Sequence, residues 1–230
     1  MIYHAGLIMG RMAQLFPRFT NALAVWVITL TIVTLIAFSI FAFLYSRSDW
    51  ITEAANFVTT QPVPFSHKHH VNGLGLDCRY CHTSVETGSF AGMPPSGTCI
   101  TCHAQIWKDS PMLEPVRQSV LTNTPLRWTR VNNVAQFVYF AHDIHIAKGV
   151  GCFVCHGRID LMPLTAKTVS MQMVWCLDCH RDPGPRLRPR NEVFNMEWQP
   201  PGNAREKGEL LIREYHINRS ILTNCSTCHR

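Results

Sequence analysis

The chain has 230 residues, a length that fits one or two domains, and 47% of them are hydrophobic. Its 21 lysines and arginines exceed its 15 aspartates and glutamates, giving a formal net charge of +6 that by itself would indicate nucleic acid or anionic lipid as a partner. Nucleic acid is excluded once the charge of the bound groups predicted by the motifs is added.

The first predicted element is an apolar helix near the N-terminus. From Phe19 to Ser46 no residue is charged, and a run of this length spans a bilayer as a single helix. Trp26 and Tyr45 lie near its two ends, where aromatic residues are common at membrane interfaces. We therefore expect a cytoplasmic N-terminal arm at 1–19, a transmembrane anchor helix at 20–46 and a separate domain at 47–230.

The charges that flank this helix predict its orientation. The arm carries Arg11 and Arg18 and no acidic residue, so the positive-inside rule places it in the cytoplasm. A cleavable signal peptide is the alternative, but the apolar run is longer than a typical signal core and no small-x-small cleavage site clearly follows it. We expect an uncleaved single-pass anchor in the inner (cytoplasmic) membrane, with residues 47–230 on the periplasmic side.

Every one of the ten cysteines falls in a Cys-x-x-Cys-His group, and there are five such groups. The motif is typical of c-type haem attachment, in which two thiols bond the vinyl groups of one haem and the histidine becomes the proximal iron ligand. Zinc sites and disulfide frameworks also use paired cysteines, but neither explains a histidine after the second cysteine in all five groups. We predict five covalently attached haem c groups. The attachment residues are Cys78, Cys81, Cys99, Cys102, Cys152, Cys155, Cys176, Cys179, Cys225 and Cys228, and the proximal ligands are His82, His103, His156, His180 and His229.

Five haems change what the composition implies. Each haem carries two propionates, which offset the positive charge of the chain and remove the argument for nucleic acid. Residues 47–230 are too few to build a conventional core around each porphyrin, so we predict that the haems form the core. The expected fold class is mostly α-helical and irregular, with one transmembrane helix, little regular secondary structure and stiff proline-containing loops. Arg181, Arg186 and Arg188 are expected either to pair with propionates or to be solvated.

The chain contains an internal repeat. Phe65-Ser-His67-Lys-His69-His70 precedes the first haem motif, and Phe140-Ala-His142-Asp-Ile-His145 precedes the third. Each Phe-x-His-x-x-His sequence is followed within eight residues by Cys-x-x-Cys-His and then by a second such group, with a Met-Pro between the two. We predict a dihaem repeat at 65–110, a second dihaem repeat at 140–183 and a fifth haem site at 205–230.

The histidines outside the motifs are the candidate distal ligands. His4 would lie on the cytoplasmic side, and His69 is the spare because the repeat does not make it equivalent to another histidine. His216 is the candidate for the iron that the repeats leave over, and spacing leaves open which distal histidine serves which haem. The predicted distal ligands are His67, His70, His142, His145 and His216. Four methionines are rivals to His216, although packing against porphyrin would also explain them: Met171 and Met173, and more weakly Met93 and Met162.

The type of axial ligand predicts the chemistry. An iron with two axial side chains has no open position for a substrate, so it takes and passes electrons and the chain has no catalytic residue. Bis-histidine ligation also gives lower reduction potentials than histidine–methionine ligation. One methionine-ligated haem would therefore be a step upward in potential.

The repeated unit resembles the multihaem cytochrome c3/c7 type. A fuller pattern lies behind the one membrane helix: "FSHKHHVNGLGLDCRYCH", "WTRVNNVAQFVYFAHDIHIAKGVGCFVCHG", "MVWCLDCHRDP" and a terminal "CSTCHR". Over roughly residues 20–230 this pattern resembles the pentahaem cytochrome c subunit of bacterial alternative complex III. The resemblance implies an electron-transfer subunit, not itself an enzyme, within a quinol-oxidising membrane complex.

The same resemblance implies partners. Electrons would arrive from an iron–sulfur subunit related to molybdopterin enzymes, and polytopic membrane subunits would hold the quinol site. The electrons would leave through a monohaem cytochrome c subunit or pass directly to a soluble acceptor, either a cytochrome c or a small copper protein. The helix would contact membrane lipid as well as these subunits.

Two alternatives stay open. A membrane-anchored multihaem quinol dehydrogenase that feeds a periplasmic reductase would need an iron near the membrane with an unusual or open ligand set. A multihaem reductase of nitrite or a similar oxyanion would need one five-coordinate haem beside a substrate cavity.

Overall fold

The structure is a computed structural model that describes residues 16–17, 19–48, 51 and 59–229. Most of the predicted N-terminal arm, with His4, Arg11 and Arg18, lies outside the described residues. The chain separates into two units, one that ends at Ser48 and one that begins at Asp49. Each unit is described by itself below.

The first unit contains one long helix, α1, at Phe19–Ser46. Its 28 residues give a length of about 42 Å at 1.5 Å per residue, more than the hydrocarbon core of a bilayer requires. None of its residues is buried against other described parts of the chain, and by length and composition it could cross a membrane. The hydroxyls of Thr31 and Ser39 donate to the carbonyl oxygens of Val27 and Leu35, so these polar groups are satisfied inside the helix.

The second unit consists of short helices joined by ordered loops, as the composition predicted. Its described residues contain no β-strand, and Val150 and Leu187 form an isolated antiparallel bridge. The α-helices are α2 (Cys78–Cys81), α3 (Ser96–His103), α4 (Glu114–Leu121), α5 (His142–Ala147), α6 (Cys152–His156), α7 (Met173–Arg181), α8 (Ala204–Glu214) and α9 (Cys225–Cys228). One π-helical turn lies at Lys68–Gly73, and 3₁₀ turns lie at Pro111–Leu113, Ile159–Leu161, Gly184–Arg186 and Arg190–Glu192.

Side chains alone form a small core in this unit. One cluster is made by Val63, Leu113 and Val116, with the partly buried Trp128 and Ile100 packed against it. Many large apolar side chains elsewhere in the described residues are at least one third exposed. A domain whose interior is completed by bound porphyrins would have this character, and the prediction that haems form the core stays a prediction.

Helix α8 packs closely on the 3₁₀ turn Gly184–Arg186. The two meet at Gly208 and Gly184, where a Cβ atom added to Gly208 would overlap the carbonyl group of Gly184. Ile212, one turn further along α8, is buried at the same contact. The glycine pair therefore lets α8 approach the segment that follows the fourth Cys-x-x-Cys-His motif.

Candidate haem-binding sites

All five Cys-x-x-Cys-His motifs lie on helical turns. Helices α2, α6 and α9 begin at the first cysteine of a motif, and α3 and α7 contain a motif that begins at their fourth residue. Residues three apart on a helix share one face, so the two thiols of each motif face the same side and the histidine follows one residue later. None of the ten cysteines forms a disulfide. The local structure therefore presents each thiol pair as attachment to one porphyrin edge requires.

Three distal histidines predicted from the repeat face the histidine of a motif. The ring centres are 6.2 Å apart for His70 and His103, 6.4 Å for His142 and His156, and 6.2 Å for His145 and His180. A metal–nitrogen bond of about 2.0–2.1 Å on each side, plus about 1.1 Å from nitrogen to ring centre, gives a separation of about 6.3 Å for two imidazoles that share one metal ion. The three pairs therefore have the spacing of two axial ligands.

His67 lies beside the histidine of the first motif. Burial, together with the nearby imidazoles of His82 and other histidines, lowers the pKa of His67 to about 4. A histidine held neutral in this way keeps a lone pair free for a metal ion. His67 and His82 are thus the candidate pair for the first motif.

Nine imidazole rings are held at the same atom. In each ring Nδ1 has a hydrogen-bond partner, so in the tautomer with hydrogen on Nδ1 the Nε2 lone pair is free for a metal, as is usual for metal-bound histidine. Seven of the partners are backbone carbonyls, and two are side chains. The carbonyls are those of Gly92 (for His82, 2.7 Å), Ile106 (His103, 3.0 Å), Leu222 (His180, 2.8 Å), Phe137 (His229, 3.1 Å), Ser66 (His70, 2.8 Å), Ser89 (His142, 2.9 Å) and Ala141 (His145, 2.7 Å), and the side chains are those of Asn132 (His156, 3.0 Å) and Thr165 (His67, 3.1 Å).

The phenylalanine of each Phe-x-His-x-x-His sequence orients both of its histidines. The ring of Phe65 meets His67 edge-on at 4.9 Å and stacks on His70 at 4.4 Å. The corresponding distances for Phe140 are 4.8 Å to His142, again edge-on, and 4.5 Å to His145, again stacked. The repeat in the sequence is therefore a repeat in geometry. The sequence repeat includes these phenylalanines, but the prediction from it assigned them no role. Their fixed position two residues before the first histidine could have indicated that they support the histidine rings.

The two predicted repeats hold each other's distal ligands. Thr165, from the second repeat, bonds to Nδ1 of His67 in the first, and the Lys68 N–H donates to the carbonyl of Met162. In the reverse direction, both the backbone N–H and Nδ1 of His142 bond to the carbonyl of Ser89. Each repeat therefore supplies hydrogen bonds to a predicted distal histidine of the other, and which histidine serves which haem stays a prediction.

The fifth motif is tied to the segment before the second repeat. The carbonyl of Cys228 accepts a hydrogen bond from the backbone N–H of Tyr139 at 2.8 Å, and the ring of Phe137 lies 5.7 Å from that of His229. Nδ1 of His229 is held by the same Phe137 through its carbonyl. This places the start of the second repeat against the C-terminal motif.

The sixth ligand of the fifth iron stays a prediction. His216 is exposed, has a φ of 51° and, within the described part of the chain, has no hydrogen bond at Nδ1 and no ring contact. The rival Met173, at the start of α7, is 66% exposed, and Met171 has a φ of 53°. His69 is also exposed and stacks on Trp107 at 5.7 Å, which fits its predicted role as the spare histidine.

The three arginines predicted as propionate partners or solvated residues differ in surroundings. Arg188 is 3% exposed and has a buried Nε atom with no partner among the described residues. Its guanidinium lies against Gly151, next to Cys152 of the third motif, so it fits a propionate. Arg186 instead pairs with Asp178 at 2.6 Å, and Arg181 is exposed.

The thiols of different motifs lie close enough to influence one another. Burial and the Cys99 thiol raise the pKa of Cys81. The first and second motifs are therefore neighbours. Burial, with a contribution from the Cys78 thiol, raises the pKa of Cys152 to about 11. The third and first motifs are therefore neighbours.

The later motifs continue this series. Burial and the Cys179 thiol raise the pKa of Cys155 to about 12, so the third and fourth motifs are neighbours. Burial and the Cys228 thiol raise the pKa of Cys176, so the fourth and fifth are neighbours. These neighbour relations link the motifs in the series second, first, third, fourth, fifth, which differs from their order in the chain.

Comparison with known proteins identifies the class of this site. Residues 138–230 match the model of the family "Cytochrome c7 and related cytochrome c", a match that covers less than half of the chain. This segment contains the third, fourth and fifth motifs and is a cytochrome c7-like multihaem domain. The expectation of a cytochrome c7-like protein is confirmed for that segment, and with it covalently bound haem c; the number of haems stays a prediction.

One curated relative extends the comparison. The chain is 36% identical over 97 residues to the protein named "Menaquinone reductase, multiheme cytochrome c subunit" from Nitratidesulfovibrio vulgaris. The matched segment is 42% of this chain and 45% of the relative, so it spans about half of each. The similarity supports a multihaem cytochrome c and does not by itself identify alternative complex III.

Proposed function

We propose that the chain is a five-haem electron-transfer subunit of a membrane-bound, quinone-linked complex. The observation that carries the proposal is the set of imidazole pairs that face each other at 6.2–6.4 Å with each Nδ1 held. Two axial ligands per iron leave no position for a substrate, so the subunit carries electrons and is not itself an enzyme.

The residues that would hold the cofactors follow from this geometry. Each motif would bind one haem through its two cysteines, and each bound haem would supply an iron that changes between the ferric and ferrous states. The imidazole pairs would ligate four irons: His67 with His82, His70 with His103, His142 with His156, and His145 with His180. His229 would ligate the fifth, opposite His216 or one of the rival methionines.

Electrons would pass along the haem sites in series. The influence of neighbouring thiols on one another's pKa values links the motifs as second, first, third, fourth, fifth. The motifs at the two ends contain cysteines that are exposed, Cys102 and Cys225. These two ends are the places where electrons would enter and leave the subunit.

The assembly proposed is alternative complex III. In that assembly α1 would anchor the chain in the inner membrane, with the haem-bearing unit on the periplasmic side. An iron–sulfur subunit would supply electrons from quinol oxidised by polytopic membrane subunits, and a monohaem subunit or a soluble cytochrome c or copper protein would accept them. The four sequence segments that resemble the pentahaem subunit, together with α1, support this assignment.

A second candidate has the opposite direction of electron flow. The relative from Nitratidesulfovibrio vulgaris is named as a subunit of a menaquinone reductase, so a complex of that kind would pass electrons through this subunit toward quinone. The two candidates share the haem-bearing chain and differ in which partner is the donor.

Purification of the tagged full-length chain from detergent-solubilised membranes tests the proposal. We expect an iron–sulfur subunit and polytopic membrane proteins to be recovered with it, and the preparation to reduce cytochrome c with added quinol. Faster reduction of menaquinone by a reduced cytochrome c whose potential lies below that of the menaquinone couple would favour the second candidate. Recovery of the chain alone, with quinol oxidation intact, would overturn both.

A matched pair of variants links turnover to the predicted ligands. His145→Ala removes one ring of the pair that faces His180, whereas His69→Ala removes the exposed histidine that is predicted to bind no iron. We expect the first variant to lose most of the turnover while the same subunits are recovered, and the second to keep it. Equal turnover in both variants would contradict the assigned ligands.

A further inference from the structure

Two of the nine imidazoles with a hydrogen bond at Nδ1 differ from the others in the type of hydrogen-bond partner. Nδ1 of His67 and of His156 is bonded to the side chains of Thr165 and Asn132, whereas the other seven are bonded to backbone carbonyls. A side-chain partner can be exchanged by mutation while the backbone stays in place. Asn132 is the stronger case because a second polar atom of its side chain is buried without a partner among the described residues.

The amide of Asn132 is oriented by the histidine. Its Nδ2 atom lies 3.0 Å from Nδ1 of His156, while its Oδ1 atom is buried without a partner among the described residues. Amide oxygen and nitrogen are assigned from the hydrogen bonds they make. If Nε2 of His156 binds iron, Nδ1 carries the hydrogen and the amide must present Oδ1 to it. The facing atom of Asn132 is therefore the oxygen.

The ring that Asn132 contacts belongs to the most nearly parallel imidazole pair. The planes of His142 and His156 differ by 8°, compared with 29° for His145 and His180 and 64° for His70 and His103. His142 is held from the other side by Ser89. The two rings of this pair are thus fixed by one backbone contact and one side-chain contact.

A hydrogen-bond acceptor at Nδ1 raises the basicity of a metal-bound imidazole, and the second shell of ligands tunes the reduction potential of the metal. A carboxylate is a stronger acceptor than an amide because it is charged. An aliphatic side chain accepts nothing. Exchange of Asn132 can therefore move the potential in two opposite directions.

We propose that Asn132 is the positioning residue of the third haem site: its amide oxygen accepts the Nδ1–H of His156, fixes the ring plane opposite His142 and sets the reduction potential of that one iron. The inference rests on the proposed haem ligation. It concerns the third site and leaves the ligands of the other four unchanged.

Two variants of the haem-loaded full-length protein test it by redox titration followed in the visible spectrum. Asn132→Asp is expected to shift the midpoint potential of one haem downward, and Asn132→Leu to shift the same haem upward. The neighbouring Asn133 is exposed and lies outside this contact, so Asn133→Asp adds the same charge as a matched control and is expected to leave the potentials nearly unchanged. Should Asn132→Leu fail to assemble, the comparison of Asn132→Asp with Asn133→Asp still tests the inference.

Equal shifts from the two aspartate variants, shifts in the same direction from Asn132→Asp and Asn132→Leu, or no shift from either would overturn the inference. The intact mass and the peptide map of the wild-type protein separate its failure from that of the proposed function. If the third motif carries no haem, the proposed function fails. If all five haems are present and the potentials do not respond to Asn132, this inference alone fails.

Discussion

Nine histidine rings in the second unit are constrained by a hydrogen bond at Nδ1, and those of the two Phe-x-His-x-x-His sequences are also constrained by a phenylalanine ring. A hydrogen bond at Nδ1 fixes the tautomer, and for the distal histidines a phenylalanine ring fixes the plane. Phe140, for example, contacts both His142 and His145 at 4.5–4.8 Å, so one residue supports the ligands of two predicted irons. The protein itself therefore fixes the orientation of the predicted ligands, and a bound metal would not need to order them.

Phe140→Ala should destabilise the haem-loaded protein. Because Phe140 is half-buried, we expect a loss of about 1–3 kcal/mol in the free energy of unfolding, below the range for a fully buried phenylalanine. Thermal or denaturant unfolding measures it. Phe90→Ala is the control, since Phe90 is 55% exposed and contacts none of the predicted ligands, and it should cost less than about 1 kcal/mol. Equal losses would show that Phe140 does not support the ligands.

Helix packing in the second unit depends on close approach at glycines. Gly208 of α8 lies on Gly184, and no side chain fits between them. Alanine at 208 would gain about 1 kcal/mol of helix propensity. Overpacking against a backbone carbonyl costs about 1–3 kcal/mol, so the steric effect wins.

Gly208→Ala is accordingly expected to lower the free energy of unfolding by up to about 2 kcal/mol, measured by denaturant titration. Gly202, shortly before the same helix, has nothing within 4 Å of an added Cβ, so Gly202→Ala should be neutral or stabilising by up to about 1 kcal/mol. A neutral Gly208→Ala variant would contradict the close packing of α8 on this turn.

Elements were predictable from the sequence where the determining interactions are local. The charge-free run predicted a helix at 20–46, and α1 spans Phe19–Ser46. Contacts between segments were not predictable, since the partners of His142, His156 and His67 are 53, 24 and 98 residues away along the chain. Such pairs are set by how the loops fold over one another, and the local spacing of the motifs contains no information about them.

At the scale of the second unit, neighbouring motifs are linked in a series whose order is not that of the chain. The second motif is at one end, the fifth at the other, and the third connects the two repeats. This order follows from the exchange of contacts between the repeats, which brings the first motif beside the third. A series with an exposed motif at each end suits a subunit placed between a donor and an acceptor.

Full ligation of the irons predicts how the molecule responds to external ligands. The reduced, isolated native protein should not bind carbon monoxide at stoichiometric level, because in the proposed ligation each iron would have two axial side chains. Difference spectra with and without the gas measure this, and the oxidised protein should lack a high-spin signal. Binding of one carbon monoxide per chain would instead indicate a five-coordinate haem and favour the oxyanion reductase alternative.

The intact mass of the purified polypeptide tests the central claim most directly, because thioether-linked haems stay attached to the denatured chain. We expect the mass of the chain, with α1 retained, plus five haems. Peptide mapping should assign one haem to each Cys-x-x-Cys-His motif. A mass that corresponds to four haems or fewer would contradict the account.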